Sequence, residues 1–413
     1  MALFFSYFLV FVAIVLAMPV FIFFIEIVAG LLLPARETTF RSRKDFRQRI
    51  AILVPAHNES AGLRPTLENI KAQLRAGDRL LVVADNCSDD TAAVATVAGA
   101  ETIVRNDPTR LGKGYALDFG IRHLDFDPPA IVIVIDADCS VAEGAIDQLA
   151  TTCAATHRPV QALNLMTAPD ESPIKYHVAE FAWRVKNWVR PSGLNALNLP
   201  CQLMGTGMAF PWELIRSVNL AHGSTVEDVR LGLDFAQAGR PPLFCPSAGV
   251  MSHFPWSVEG AKSQRKRWEE GHIRMILTAV PPLLYNAIRR GNLGLLALTF
   301  DLVVPPLSVL VVLVTGMFFV AGTAAMLGIS PTALFVSTAC LVALVVAVFL
   351  AWIKYGRDVI PSNKIFSIAA YVLAKLPLYR QLLFRNTAPL WIRTDRSDTR
   401  VLPAKTAAQP PIE

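Results

Sequence analysis

Three long stretches of the chain carry almost no polar side chains. Between the first and second lies a region where short apolar runs alternate with amphipathic ones. The first stretch, Leu3 to Ile25, outruns the apolar core of a cleaved signal and has no basic segment before it, which predicts an uncleaved spanning helix. Two more run from about Leu302 to Leu327 and from Thr332 to Ile353. Directly after the first comes PARETTFRSRKDFRQR, with Arg36, Arg41, Arg43, Lys44, Arg47 and Arg49. The link GISP between the other two has no Lys or Arg, and a basic tail with Lys354, Arg357, Lys364, Lys375 and Arg380 follows. Basic flanks mark the cytoplasmic side, so the N-terminus is expected outside and the central region and C-terminus inside. The segment Ile365–Leu383 is interrupted by Lys375, Pro377 and Arg380 and reads as an interfacial helix rather than a fourth span. Asp301, Pro305 and Pro306 sit at the edge of the second stretch. They are either a snorkelling charge beside a kink or a polar lining for an acceptor path.

The central region predicts strands at IAILVPA, RLLVVAD, ETIVRN and AIVIVID, with a further one at VQALNLM. Amphipathic stretches such as SAGLRPTLENIKAQLRAG and SDDTAAVATVAGA lie between them, with Ser88 as an N-cap and Gly77 and Gly99 at helix ends. Alternation of this length predicts βαβ units around a parallel sheet, and Ile, Val and Leu on both faces suit strands covered by helices. The segment PIKYHVAEFAWRVKNWVRPSG interleaves Trp183 and Trp188 with Arg184, Lys186 and Arg190. It reads equally as a headgroup-level helix or an ordinary packed one. There are no internal repeats, and the last residues, TAAQPPIE, are expected to be disordered.

Composition narrows the class. At 53% hydrophobic and 17% charged, with mean hydropathy +0.42, the chain is too apolar for a wholly soluble protein and too polar for a pure helix bundle. The net charge of +6 comes from basic residues clustered by the apolar stretches. That points to membrane orientation rather than nucleic acid, for which there is no motif. Six scattered cysteines (87, 139, 153, 201, 245 and 340) form no CxxC pair and fit a reducing compartment.

Candidate chemistry sits at strand ends, which share one edge of a parallel sheet. Asp136 and Asp138, in VIVIDADCS, offer hard oxygen ligands for Mg²⁺ or Mn²⁺ against phosphate oxygens, although an isolated DxD is also a common capping pair. Asp85, in VVADNCSDDT, is either a helix cap or the acceptor for a nucleobase imide N–H. Pro55, His57 and Glu59 end the first strand and should floor the same cleft, with no second His at helical spacing to suggest zinc. Lys113 stands in a GKG whose spacing fits neither phosphate-loop pattern. It either approaches a diphosphate or begins a surface helix. Asp228, in TVEDVRLG, is either a helix N-terminal charge or a general base. Gln264, Arg267 and Trp268 share one helical face in KSQRKRW. They suit either a basic interfacial helix or an arginine for a diphosphate with a tryptophan for a sugar.

An N-terminal span, VPAHNES, ADNCSDDT, GKGYAL, DADCS, GTGMAF, an ED pair and QRKRW before C-terminal spans together resemble the membrane-bound family 2 glycosyltransferases, the group of cellulose, hyaluronan and poly-N-acetylglucosamine synthases and ceramide glucosyltransferases. The likeness covers residues 48–275 by motif and the whole chain by layout. Val226 departs from the Thr often found before the ED pair. The resemblance implies a GT-A fold (Rossmann-like α/β, mostly parallel sheet), a nucleotide-sugar donor, usually UDP-linked, Mg²⁺ or Mn²⁺, and inversion. It implies that Asp85 contacts uracil, that Asp136 and Asp138 hold donor and metal, that Asp228 is the base, and that Gln264, Arg267 and Trp268 line the diphosphate and acceptor site. The layout then divides into an anchor (1–33), a basic linker (34–49), the GT-A domain (50–275), an interfacial segment (276–301), a transmembrane hairpin (302–353) and an interfacial helix with a cytoplasmic tail (354–413). Few spans favour a lipid or lipid-linked acceptor over a processive polysaccharide synthase, unless a partner subunit or oligomer completes a channel. Two other classes remain. A haloacid dehalogenase-type phosphotransferase also uses DxD, but Val141 is one place too late and the motif usually closes the first strand. A non-enzymatic membrane scaffold would not need the full set of carboxylates.

Overall fold

The computed structural model describes residues 2–34, 47–169, 171–223, 226–255 and 258–368. Most of the basic linker, and the interfacial helix expected at Ile365–Leu383 beyond residue 368, lie outside them, as does the tail.

The chain opens on α1 (Ala2–Leu32) and then alternates: β1 (Ile50–Ala56), α2 (Ser60–Lys71), β2 (Arg79–Asp85), α3 (Thr91–Val97), β3 (Glu101–Arg105), α4 (Lys113–Leu124), β4 (Ile131–Val134). A short β5 (Ser140–Val141) leads to α5 (Ala145–Thr156), β6 (Val160–Thr167), α6 (Ile174–Arg184), a π-type turn over Val185–Val189, and α7 (Arg190–Ala196). Next come β7 (Met208–Pro211), α8 (Trp212–Ile215), α9 (Glu227–Gln237), β8 (Leu243–His253) and the long α10 (Val258–Arg290). Three apolar helices follow: α11 (Leu293–Val303), α12 (Leu307–Met326) and α13 (Pro331–Tyr355).

The strands form one sheet in the order β3-β2-β1-β4-β7-β6-β8-β5. The first four are parallel, β7 runs antiparallel to both its neighbours, β6 and β8 are parallel, and β5 closes the edge antiparallel. This is the Rossmann-like, mostly parallel α/β sheet expected from the alternation. Residues of β1 and β4 are buried almost throughout because helices cover both faces. One apolar core under α2 and α5 gathers Ile52, Leu67 and Leu149. The other, under α4 and α9, gathers Leu53, Leu117 and Phe235.

Some local expectations change. Ser88 does not cap α3: its backbone N–H donates to Asn58 Oδ1 (2.7 Å), while Asp89 Oδ1 takes the N–H and hydroxyl of Thr91. Helix α2 ends at Lys71, and Gly77 instead shapes the turn into β2 at φ +89°. The apolar stretch from Leu302 is broken at Pro305–Pro306, so α11 and α12 are separate helices. Proline after Val304 removes the donors and the αR freedom that continuation would need. Helix α10 passes through residues 275 and 276 without a break.

The helices α1, α12 and α13 are long and apolar enough to cross a membrane. Helix α1, with 31 residues, measures about 46 Å, against a hydrocarbon layer of about 30 Å. The helix is thus longer than such a layer is thick, and its C-terminal turns dock on α7. Gly30 and Gly193 make that approach possible: a Cβ on Gly30 would lie 2.5 Å from Val189 O, and one on Gly193 would overlap the carbonyl of Glu26. Beside them Arg190 donates from Nε to Glu26 Oε2 (2.5 Å) and from Nη2 to Asp301 Oδ1 (2.5 Å) and to the Asp301 carbonyl (3.0 Å). Asp301 is thus neither a snorkelling charge nor a path lining but one arm of a buried ion cluster joining α1, α7 and α11.

Candidate active site

The strand ends and the start of α10 meet in a cleft of about 300 Å³. Its walls include all the candidate donor-, metal- and acceptor-site residues named from the sequence: Pro55, His57 and Glu59; Asp85; Lys113; Asp136 and Asp138; Asp228; and Gln264, Arg267 and Trp268. Parallel strands explain the convergence, because β1, β2 and β4 deliver their C-termini to one edge.

At the β1–β2 edge, Asn58 and Asn86 take left-handed conformations (φ +55° and +52°), which turn the chain sharply after each strand. The His57 Nδ1–H donates to the Asp85 carbonyl (2.7 Å). Arg105 Nη1 donates to Asp85 Oδ1 (2.5 Å), and Asn86 Nδ2 donates to the same oxygen (3.1 Å). Burial raises the Asp85 carboxyl above its ordinary value, and Arg105 opposes that. Asp85 is therefore fixed in position with both bonds on one oxygen.

At the β4 edge, Lys113 begins α4 inside the protein rather than on its surface. Its ammonium pairs with Asp136 Oδ1 and donates to the Gly205 carbonyl (2.6 Å). Burial would lower this lysine, but Asp136 and Glu227 beside it hold it above its ordinary value. The backbone N–H of Asp136 donates to Thr206 Oγ1 (3.0 Å). Gly205 (φ +89°) and Gly207 (φ +65°) let GTG wrap this close, and a Cβ on Gly207 would meet that of Ala162 at 2.7 Å.

Asp228 lies in the first turn of α9, and a Cβ on Gly205 would be 3.5 Å from its Oδ2. Burial raises its carboxyl, against the pull of Lys186 and Lys113. Glu227 is pushed up to about 7, first by burial and then by Asp228. The Trp268 ring lies 5.1 Å from that of Trp183 with planes at 40°, and Trp183 Nε1 donates to the Asn164 carbonyl (3.1 Å). The aromatic–basic segment is therefore a packed helix whose inner face reaches the cleft.

Two carboxylates two residues apart in the loop after β4 fit a hard cation that completes its shell with phosphate oxygens. Among the described residues, no group of three His, Cys, Asp or Glu side chains forms a self-sufficient metal cage. The oxygen-only pair Asp136 and Asp138 suits Mg²⁺ or Mn²⁺ shared with a ligand and not a structural zinc. Gly205, Thr206, Asn164, Lys186 and His272 also line the cleft wall, although sequence reasoning assigned none of them a role in the site: Gly205 and Thr206 stood only within GTGMAF and Lys186 only within the aromatic–basic segment. The GTG doublet was the legible signal for the first two. The others needed the fold, since β6, the π-type turn and α10 carry Asn164, Lys186 and His272 inward.

Residues 47–271 match the profile of the family described as "Glycosyltransferase like family 2". Uncharacterized glycosyltransferases of Mycobacterium bovis and Mycobacterium tuberculosis are each 39% identical over 100 residues. That alignment is 24% of this chain, which spans only 41% of each relative's length. The solved mannosyltransferase from Pyrobaculum calidifontis, in complex with GDP-Man and Mn²⁺, superposes with a TM-score of 0.52 at 17% identity. It covers 92% of this chain and 100% of its own, a likeness of fold.

Proposed function

The chain belongs to glycosyltransferase family 2, and from that premise we propose that it moves one or a few sugars from a UDP-linked donor, with inversion, to a lipid or lipid-linked acceptor at the cytoplasmic membrane face. It is a nucleotide-sugar glycosyltransferase with the GT-A fold. The observation that carries the finer reading is the convergence of Asp85, Asp136, Asp138, Asp228, Gln264, Arg267 and Trp268 on one cleft beside three apolar helices.

Asp85 accepts the uracil imide N–H on the carboxylate that Arg105 holds rigid. Pro55, His57 and Glu59 floor the nucleoside pocket. Asp136 and Asp138 would hold a divalent cation, which when bound would supply charge stabilisation to the leaving diphosphate. Lys113 and Arg267 add fixed positive charge at the same place. Asp228 removes the proton of the acceptor hydroxyl as its oxygen attacks the anomeric carbon from the face opposite the departing diphosphate. The C–O bond to phosphate breaks with its electron pair leaving on the nucleotide, which needs no acid. A single base therefore suffices, unlike the paired carboxylates of a glycosidase. Trp268, against Trp183, offers an aromatic face to the sugar.

The test incubates purified full-length protein with a panel of nucleotide sugars, Mn²⁺ and membrane lipids, then sizes the product. UDP release with a short glycolipid product is expected. A long polymer would move the chain to the processive reading, and release from a non-uridine donor alone would overturn the role of Asp85.

A further inference from the structure

Next to the cleft lies a second, mainly apolar chamber of about 150 Å³. Its walls come from the three membrane-crossing helices, through Phe23, Val311 and Val348, and from α6 and the Pro305–Pro306 break. The two spaces share Trp183, Lys186, Gln264, Trp268 and His272, so the chamber adjoins the cleft that contains Asp228.

Lys186 stands at this junction on the π-type turn, a distortion frequent at functional sites. Its side chain is exposed to the shared space although protein surrounds it. Lys113 and Arg190 have carboxylates in contact, but among the described residues none lies within ion-pair distance of Lys186. Its close neighbour is the Trp183 ring, 5.2 Å away. His272, across the junction, is held neutral at pH 7, its imidazole lowered to about 4 by burial and by Lys186. An ammonium beside apolar walls is costly unless an anion joins it.

Building on the transfer reading above, we propose that chamber and lysine together form the acceptor site. The hydrocarbon chain of an amphiphile lies in the chamber, Lys186 holds a phosphate ester at its head, and a hydroxyl beyond that phosphate meets Asp228. Lysine binds phosphate as a point charge, which a headgroup of variable shape satisfies. A soluble acceptor would have no use for walls built from spanning helices. A polysaccharide would lose its hydroxyl hydrogen bonds against them. Lys186 is on this account a specificity-determining residue, and Val311 and Val348 set the space for the chain.

The test uses the full chain in phosphatidylcholine nanodiscs with phosphatidylglycerol carrying a diazirine on one acyl chain, and diazirine-tagged diacylglycerol as the phosphate-free control. After photolysis, mass spectrometry is expected to find the phosphatidylglycerol label on chamber peptides containing Phe181 or Val311. Lys186→Gln should reduce that labelling about ten- to a hundredfold, the range of a lost charge-assisted contact, while Lys186→Arg retains most of it. Val311→Trp should fill the chamber and abolish label there, yet leave label near the lipid-exposed Phe319 unchanged. UDP affinity, measured on each sample, reports folding. Equal labelling in wild type and Lys186→Gln, equal labelling by diacylglycerol, or label only on outer faces would overturn the acceptor site. Loss of nucleotide binding in the wild type would instead sink the transfer reading itself.

Discussion

Replacing Asp228 with Asn changes one atom's identity and almost no volume, which matters where Gly205 backs so closely on the carboxylate. The amide keeps the packing at the start of α9 but cannot take a proton from the acceptor. Removing a general base typically costs about 10²–10⁴ in rate, or about 2.7–5.5 kcal/mol of barrier. Donor binding should move little, and in the favourable direction. The cleft loses a negative charge next to Lys113 and the diphosphate position, and Glu227 loses one of the neighbours that raise its carboxyl. The pH profile supplies the sharper readout. Burial raises Asp228, and Glu227 beside it reaches about 7, so the two titrate as a pair. The base works only when ionised. Turnover by the wild type should therefore fall as pH drops through that raised range, well above where an ordinary carboxylate protonates. In Asp228→Asn the residual rate should lose this acid limb. The assay is UDP release across pH 5 to 9, with UDP affinity measured separately by calorimetry. Near-normal turnover, or a rate loss matched by an equal loss of UDP affinity, would refute the assignment.

Excess EDTA should stop transfer, with Mg²⁺ or Mn²⁺ but not Zn²⁺ restoring it; full activity in the chelator would end the metal role of Asp136 and Asp138. Arg190→Met should strand two carboxylates, Glu26 and Asp301, in the interior. A loss of about 3–5 kcal/mol should appear as a lower thermal midpoint in detergent, and an unchanged midpoint would show that the ion cluster contributes nothing net. Gly193→Ala should force α1 away from α7; faster proteolysis after residue 33 is the expected sign, and a wild-type digestion pattern would contradict the close contact.

The first half of the sheet was legible because β1, β2 and β4 are parallel strands covered on both faces, and such strands read as plain apolar runs, while the edge strand β3 still shows as the short run ETIVR. In the second half only β6, at VQALNLM, was legible. β7 is four residues long, β5 only two, and β8 carries Pro246, Ser247 and Gly249 at a register shift that breaks any simple pattern. Asp85, Asp136 and Asp138 could be seen because each stands at the end of its strand or in the loop just after it. Lys186 could not, because its inward direction depends on a π-type turn that no local composition announces. Asp301 was misjudged for a similar reason: its partners, Glu26 and Arg190, are far away in sequence.

The contact of α1 on α7 leaves no swivel between anchor and enzyme. A hinge there would require two glycine-faced helices to part and three buried charges to separate together. On the proposed membrane reading, the cleft is therefore carried at one altitude above the bilayer, whatever the length of the basic linker. Substrates at a membrane differ in how high their reactive group floats. An enzyme mounted rigidly samples a single layer of that interface. A headgroup a few ångströms taller or shorter would pass by Asp228 without meeting it, and the ruler that excludes it is the anchor helix.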